Sequence, residues 1–390
     1  MSGLNGFNGF NGFNGFNGFN GFNGFNGFNG FNGFGSSGGG WAGLNSGGLA
    51  GGMIQSTGAL ASRTAAPGQG WDIAKDWGPA PRIAAGAVIA RPPRLPAMEQ
   101  HSRSLSQLDS TTRFHLATVE LMGGIHFDFA TPETAKVNWG THEILSLKRP
   151  TVDQFAAQFE LVMRRSRLRS ERAAEIFTQL TPQFGYWAGM CGLHPDTTPK
   201  TIEIACIALN LSMLVCQRLK NALSCPRPHE YSPMVQPIIL TPTHSTWPMG
   251  HATEAYMFAR VMLALTGQAS TSQLAQQLNL TARRIADNRV IAGVHFPIDS
   301  PAGFVLAEVM ADYLLARCGV VTSIDSKALD GTALSRNADA DPADLTTANS
   351  GWSSAVPALT VAGPVNIASS SLMVEMWKRA KDELKSYGFA

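Results

Sequence analysis

Apolar positions from residue 152 onward recur at three- and four-residue spacing, which predicts a succession of helices. Asp153 is placed to cap one that carries Phe155, Phe159 and Val162, with Arg164, Arg165 and Arg167 on its solvated face. Further helices are expected at about 172–181, 202–223, 251–265, 271–290 and 301–317. A last one at 372–386 puts Met373, Trp377, Ala380, Leu384 and Tyr387 on one stripe, with Gly388 as its stop. Few period-two alternations interrupt this region. The expected fold class is therefore all-α, a helical bundle.

The rest of the chain is patterned differently. Residues 5–34 are ten tandem Asn-Gly-Phe units, followed by a Gly/Ser-rich stretch to residue 62. Glycine is costly to order and isolated Phe residues cannot build a core, so 1–62 is expected to be a disordered tail. Uncharged and rich in aromatic groups, this tail reads either as a route to self-association and a homo-oligomer or as an expanded repeat without function. Residues 63–150 form a mixed segment packing on the core, with Arg91-Pro92-Pro93-Arg94-Leu95-Pro96 as a connector. The helical domain is expected to occupy 151–320, a linker 321–370, and the amphipathic C-terminal helix 371–390.

A formal net charge of +2 over 390 residues gives no reason to expect nucleic acid as a partner. Affinity for anions must come from local clusters. The five cysteines form no CxxC pair, and their odd number points to buried free thiols. No Asp, Glu, Lys or Arg precedes Arg63, which leaves no basic leader, and the 14 residues from Ile204 to Gln217 are too few to span a bilayer. The expectation is a cytoplasmic protein that does not span the membrane.

Three segments combine cations, histidines and backbone breakers. In the first, Pro226 ends a helix near Leu223, leaving Lys220 in its last turn and Arg227 in a rigid Pro-Arg-Pro exit. In the second, Pro248, Met249 and Gly250 precede a helix whose free N–H groups make an anion seat, with His251 at its start. In the third, Gly293 and Pro297 break the chain so that Arg289 and His295 can reach one point. Asp299, four residues on, is spaced to take a proton from one His295 ring nitrogen and leave the other nucleophilic. Ser300 and Pro301 read as the cap and first position of the next helix. His244 and His229 read as loop histidines.

In order and content these segments resemble the signature of the acid phosphatase and vanadium haloperoxidase superfamily: Lys, six residues, Arg-Pro; Pro-Ser-Gly-His; Ser-Arg, five residues, His, three residues, Asp. The matches are Lys220, Arg227, Pro228, Pro248, Gly250, His251, Arg289, His295 and Asp299. Asn288 replaces one family serine. Met249 replaces another, whose hydroxyl the family aims at the bound oxyanion.

The resemblance implies a helical catalytic domain with Lys220, Arg227, Met249, Gly250, Arg289 and His295 around the oxyanion, and His251, His295 and Asp299 catalytic. In a vanadium-dependent haloperoxidase, the first expectation, His295 would bind vanadate while hydrogen peroxide and halide react. In a phosphatase, with no cofactor, His295 would attack a phosphate monoester and His251 would protonate the leaving oxygen. A non-catalytic oxyanion-binding scaffold is a third reading.

Overall fold

The computed structural model describes residues 105–180, 183–334 and 358–388. Everything before residue 105, including the Asn-Gly-Phe tail and the proline-rich connector, lies outside the described residues, as does the centre of the expected linker.

In chain order the elements are α1 (Ser110–Met122), β1 (Ile125–Thr131), β2 (Thr134–Trp139), β3 (His142–Lys148), α2 (Val152–Ala157), α3 (Phe159–Arg165) and α4 (Arg169–Thr178). There follow α5 (Phe184–Cys191), α6 (Pro199–Leu223), α7 (Pro228–Tyr231), α8 (Gly250–Thr266), α9 (Gln273–Ile291), α10 (Asp299–Arg317), β4 (Ser323–Asp330), β5 (Leu359–Asn366) and α11 (Ser371–Ser386).

The all-α expectation is corrected by a five-stranded sheet in the order β1-β2-β3-β4-β5. The first three strands form an antiparallel meander, with Ile125 opposite Trp139 and Ala135 opposite Leu147. β4 then pairs parallel to β3, Leu145 opposite Lys327 and Lys148 opposite Asp330, and β5 returns antiparallel to β4. A parallel pair needs a long crossover, and here the crossover contains the whole helical core. The stretch 321–370, expected to be a linker, thus carries a sheet strand at each end.

The period-two signal was present in Ile125-His126-Phe127-Asp128-Phe129, whose neighbours Gly123, Gly124 and Gly140 punctuate it. β4 has no such local signature, since its pairing partner lies about 180 residues away and only tertiary contact selects it.

The helical core is built around α6 and α8–α10. α6 is buried on nearly every side, from Thr201 to Leu223, and α10 from Asp299 to Arg317. Such helices show little amphipathic stripe because each is surrounded by protein. Thr151, not Asp153, caps α2, through a reciprocal capping box with Gln154. α10 starts at Asp299 with Ile298 before it, so Ser300 and Pro301 lie inside its first turn. On α11, Met373, Trp377, Ala380 and Leu384 are buried whereas Tyr387 is 52% exposed, and Glu383 accepts hydrogen bonds from the first-turn amides of Lys200 and Thr201 on α6. All five cysteines are buried and free.

Among the described residues, one helical stretch, Pro199–Tyr231, is long and apolar enough by composition to cross a membrane, and 83% of its most apolar window is buried inside the protein.

Candidate active site

The site is assembled where α6 ends, α8 and α10 begin, and α9 breaks. Ser224, in the left-handed region at φ 46°, terminates α6 and turns the chain into Pro226-Arg227-Pro228. Lys220 is buried in the last turn of α6, where its Nζ donates to the carbonyls of Ser245 and Thr246 at 2.8 and 2.9 Å. Burial pulls its pKa below the ordinary lysine value.

Arg227 is fixed by carbonyls on both sides. Its Nε donates to His244 O at 2.8 Å and its Nη1 to Val294 O at 2.6 Å. Nη2 lies 3.1 Å from His244 Nδ1, which is also 3.2 Å from the Ser245 carbonyl. Burial, with Lys220 and Arg227 beside it, holds His244 down at about 2, so this ring is neutral.

His295 follows the break after α9. Gly293 sits at φ +86°, and a Cβ there would lie 2.6 Å from Arg169 Nη2 and 3.0 Å from Val235 Cγ1. Only glycine accepts both that backbone and that approach. Arg169 spans the same turn, donating to the carbonyls of Ile291, Gln236 and Val235.

The His295 ring is held in one tautomer. Its Nδ1 is 2.7 Å from Asp299 Oδ2, which also accepts from Thr246 Oγ1 at 2.5 Å and from the Phe296 amide at 2.9 Å. Asp299 can only accept when ionised, and the Thr246 proton already points at it, so Nδ1 carries the hydrogen. Nε2 then carries the lone pair and accepts from Arg227 Nη1 at 3.4 Å. Burial and the Arg227 and Lys220 charges keep the imidazole well below its usual pKa, so the ring is neutral.

His251 and Arg289 form the other wall, and Gln179, at the end of α4, joins them. His251 Nε2 is 3.1 Å from the Gln179 carbonyl, which only accepts, so the hydrogen is on Nε2 and Nδ1 has the lone pair. Burial and Arg289 lower this ring to about 3. Arg289 Nη2 donates to Ile176 O and to Gln179 Oε1, both at 3.1 Å, and Asn288 Nδ2 donates to the same Gln179 oxygen at 3.0 Å. The remaining guanidinium edge, Nε and Nη1, is buried without a partner, although Arg289 is only 1% exposed. Each unpaired buried donor costs about 1–3 kcal/mol, and more when charged. A ligand oxygen is the natural complement.

The cap of α8 departs from an ordinary anion seat. Met249 offers no side-chain cap and is fully buried in the hydrophobic core, its Sδ 3.7 Å from Ser300 Oγ. Gly303 lets α10 approach, since a Cβ there would collide with the Met249 carbonyl. At Gly250 a Cβ would rest 3.8 Å from Lys220 Cε, so the first-turn amides open beside the lysine.

Lys220, Arg227, Gly250, His295 and Asp299 are thus brought together directly. Arg289 and His251 are joined to each other through Gln179, and the charges of Lys220 and Arg227 act on His251. Sequence reasoning missed Gln179, which follows an unremarkable helix and is far from α9 in the chain. Thr246, a candidate hydroxyl near the motif, turns out to be committed to Asp299.

No curated protein matches this chain. Apart from Gln179 and the Arg169 turn, every group described around the oxyanion seat falls in one stretch of sequence, and the comparison with known families matches that same stretch. Residues 202–318, the helical core of this chain, match the family model of the PAP2 superfamily.

Proposed function

We propose that this chain is a haloperoxidase-type enzyme of its superfamily, which uses His295 Nε2 to hold vanadate and oxidises halide with hydrogen peroxide. The observation that carries an oxyanion at this site is the unpartnered Nε and Nη1 edge of buried Arg289. Lys220, Arg227, Arg289 and the Gly250 amide would surround its oxygens, and His295 would bind it through the lone pair that Asp299 frees. Bound vanadate supplies a Lewis-acid centre at which peroxide is activated towards halide.

The protonation of His251 supports the haloperoxidase reading. Its Nε2–H is committed to the Gln179 carbonyl and its Nδ1 is an unprotonated acceptor. Peroxide must first lose a proton, and a neutral Nδ1 can take it. Monoester cleavage would instead require His251 to give a proton at once, for which a neutral ring is poorly prepared. Asp299 offsets part of the charge of the cations and fixes the His295 ring.

The test is activity of purified protein with and without orthovanadate. Vanadate should switch on peroxide-dependent halogenation of a phenolic probe, His295→Ala should abolish vanadate retention, and His251→Ala should retain vanadate while losing turnover. Vanadate that inhibits hydrolysis of a phosphate monoester, with no halogenation by chloride, bromide or iodide, would replace this reading with the hydrolase. Neither binding nor turnover would leave a non-catalytic domain.

A further inference from the structure

Glu254 lies four residues beyond Gly250 on α8, so the two positions stack on one helix face. At Gly250 that face meets α6: a Cβ would lie 3.8 Å from Lys220 Cε and 4.0 Å from Cys216 Sγ. The Glu254 carboxyl is within electrostatic reach of Lys220, Arg289 and Cys216. It is half-buried, and among the described residues it has no hydrogen-bond or ion-pair partner. Burial pushes it from 4.5 up to about 7, against the pull of the two cations.

The hydroxyls near the seat are all committed. Ser245 Oγ donates to Trp247 O and accepts from the Cys225 amide. Thr246 Oγ1 donates to Asp299, Thr253 Oγ1 to Met249 O and Ser300 Oγ to Met249 Sδ. Met249 itself has no donor. The seat therefore lacks the neutral O–H donor that a serine before Gly250 would provide.

We propose that Glu254, as the neutral acid, donates the hydrogen bond to the bound oxyanion that the residue before Gly250 cannot give, so that oxyanion and proton are taken up together. The proposal rests on the oxyanion-site reading above. The O–H bond stays intact: the carboxyl binds its proton from solvent and offers it to a ligand oxygen without transfer. As the ionised carboxylate, the same group would repel the ligand.

The charged and titratable groups facing it are Lys220 and Cys216 from α6 and Arg289 from α9, with His251 one turn away on its own helix. Asp299 of α10 is turned to Thr246, His295 and Phe296. Glu175 of α4 pairs with Arg284 and reaches Glu254 only through Arg289. His251 stays neutral in the working range. Lys220 weakens anion binding on the alkaline side in every variant, so the difference between variants isolates Glu254.

The probe is molybdate, which stays a tetrahedral dianion from about pH 6 to about pH 8.5, with affinity read by calorimetry. Glu254→Gln keeps the shape and a permanent N–H donor. It should match wild type near pH 6 and bind about tenfold more tightly than wild type near pH 8.5. Glu254→Ala should lose about tenfold near pH 6, and Met249→Ser should tighten binding by a larger factor in that background than in wild type, a non-additivity that mere structural damage would not produce.

Superimposable wild-type and Glu254→Gln profiles, or an alanine variant that binds as wild type does, would overturn the role of Glu254 and leave the oxyanion site intact. Wild type that binds no molybdate at any pH would take down both.

Discussion

Replacing Asp299 by asparagine tests how the nucleophile is made. The carboxylate Oδ2 accepts three hydrogen bonds, from Thr246, His295 and the Phe296 amide, while Oδ1 is buried without a partner. An asparagine oxygen in the Oδ2 place would keep these contacts as neutral bonds. Each charge-assisted bond is worth about 1–2 kcal/mol more than its neutral counterpart. Only the His295 bond strengthens as the ring acquires positive charge, but all three position it. A loss of about 1–2 kcal/mol follows, on the order of tenfold in turnover. If the amide turns instead, its NH2 meets Nδ1, the tautomer inverts and Nε2 is no longer nucleophilic, a larger loss.

Stability should move the other way. Burial raises the Asp299 pKa above its ordinary value despite those bonds and the two cations. The ionised side chain therefore costs the folded state stability at neutral pH, a cost absent below the unfolded pKa and fully felt above the raised folded one. The neutral amide escapes it, so the variant should melt no lower than wild type. The acid-side fall in wild-type turnover, where this carboxylate takes up its proton, should disappear. Steady-state halogenation with saturating vanadate and thermal melts at neutral pH measure both. Turnover within about threefold of wild type, with the acid limb unchanged, would refute the tautomer argument.

Three further outcomes are expected. Met249→Ser should tighten oxyanion binding by roughly tenfold to a hundredfold, and should lower stability by about 2–4 kcal/mol because a fully buried core side chain is truncated; vanadate titration and denaturant melts check each. Gly293→Ala should cost about 2–4 kcal/mol in chemical denaturation, since it combines a positive φ with a Cβ 2.6 Å from Arg169 Nη2, and should loosen vanadate retention at His295. Deleting residues 1–62 should leave activity per folded protein nearly unchanged and alter self-association, measured by light scattering, because every site residue lies downstream.

The sequence by itself carried the helices and the chemistry-bearing triplet of segments. Helix periodicity is local, and Lys220, Arg227, His251, Arg289, His295 and Asp299 stand at spacings set by helix ends and the breakers Pro226, Pro248 and Gly293. What only the tertiary structure decided is whatever depends on contact between distant residues. The sheet is one case: β4 takes its identity from β3, across the entire helical core, so its sequence alone could pass for a linker. Gln179 is another, ordinary in its helix and decisive only because α4 packs on α9 and presents its carbonyl to His251 and its side chain to Arg289. Burial is the third. A sequence shows that Met249 lacks a hydroxyl, but only packing shows that Ser245, Thr246, Thr253 and Ser300 are already committed, and that Glu254 stands unpaired beside two cations. Hydrogen-bond satisfaction and desolvation are properties of the assembled interior, and no local pattern encodes them.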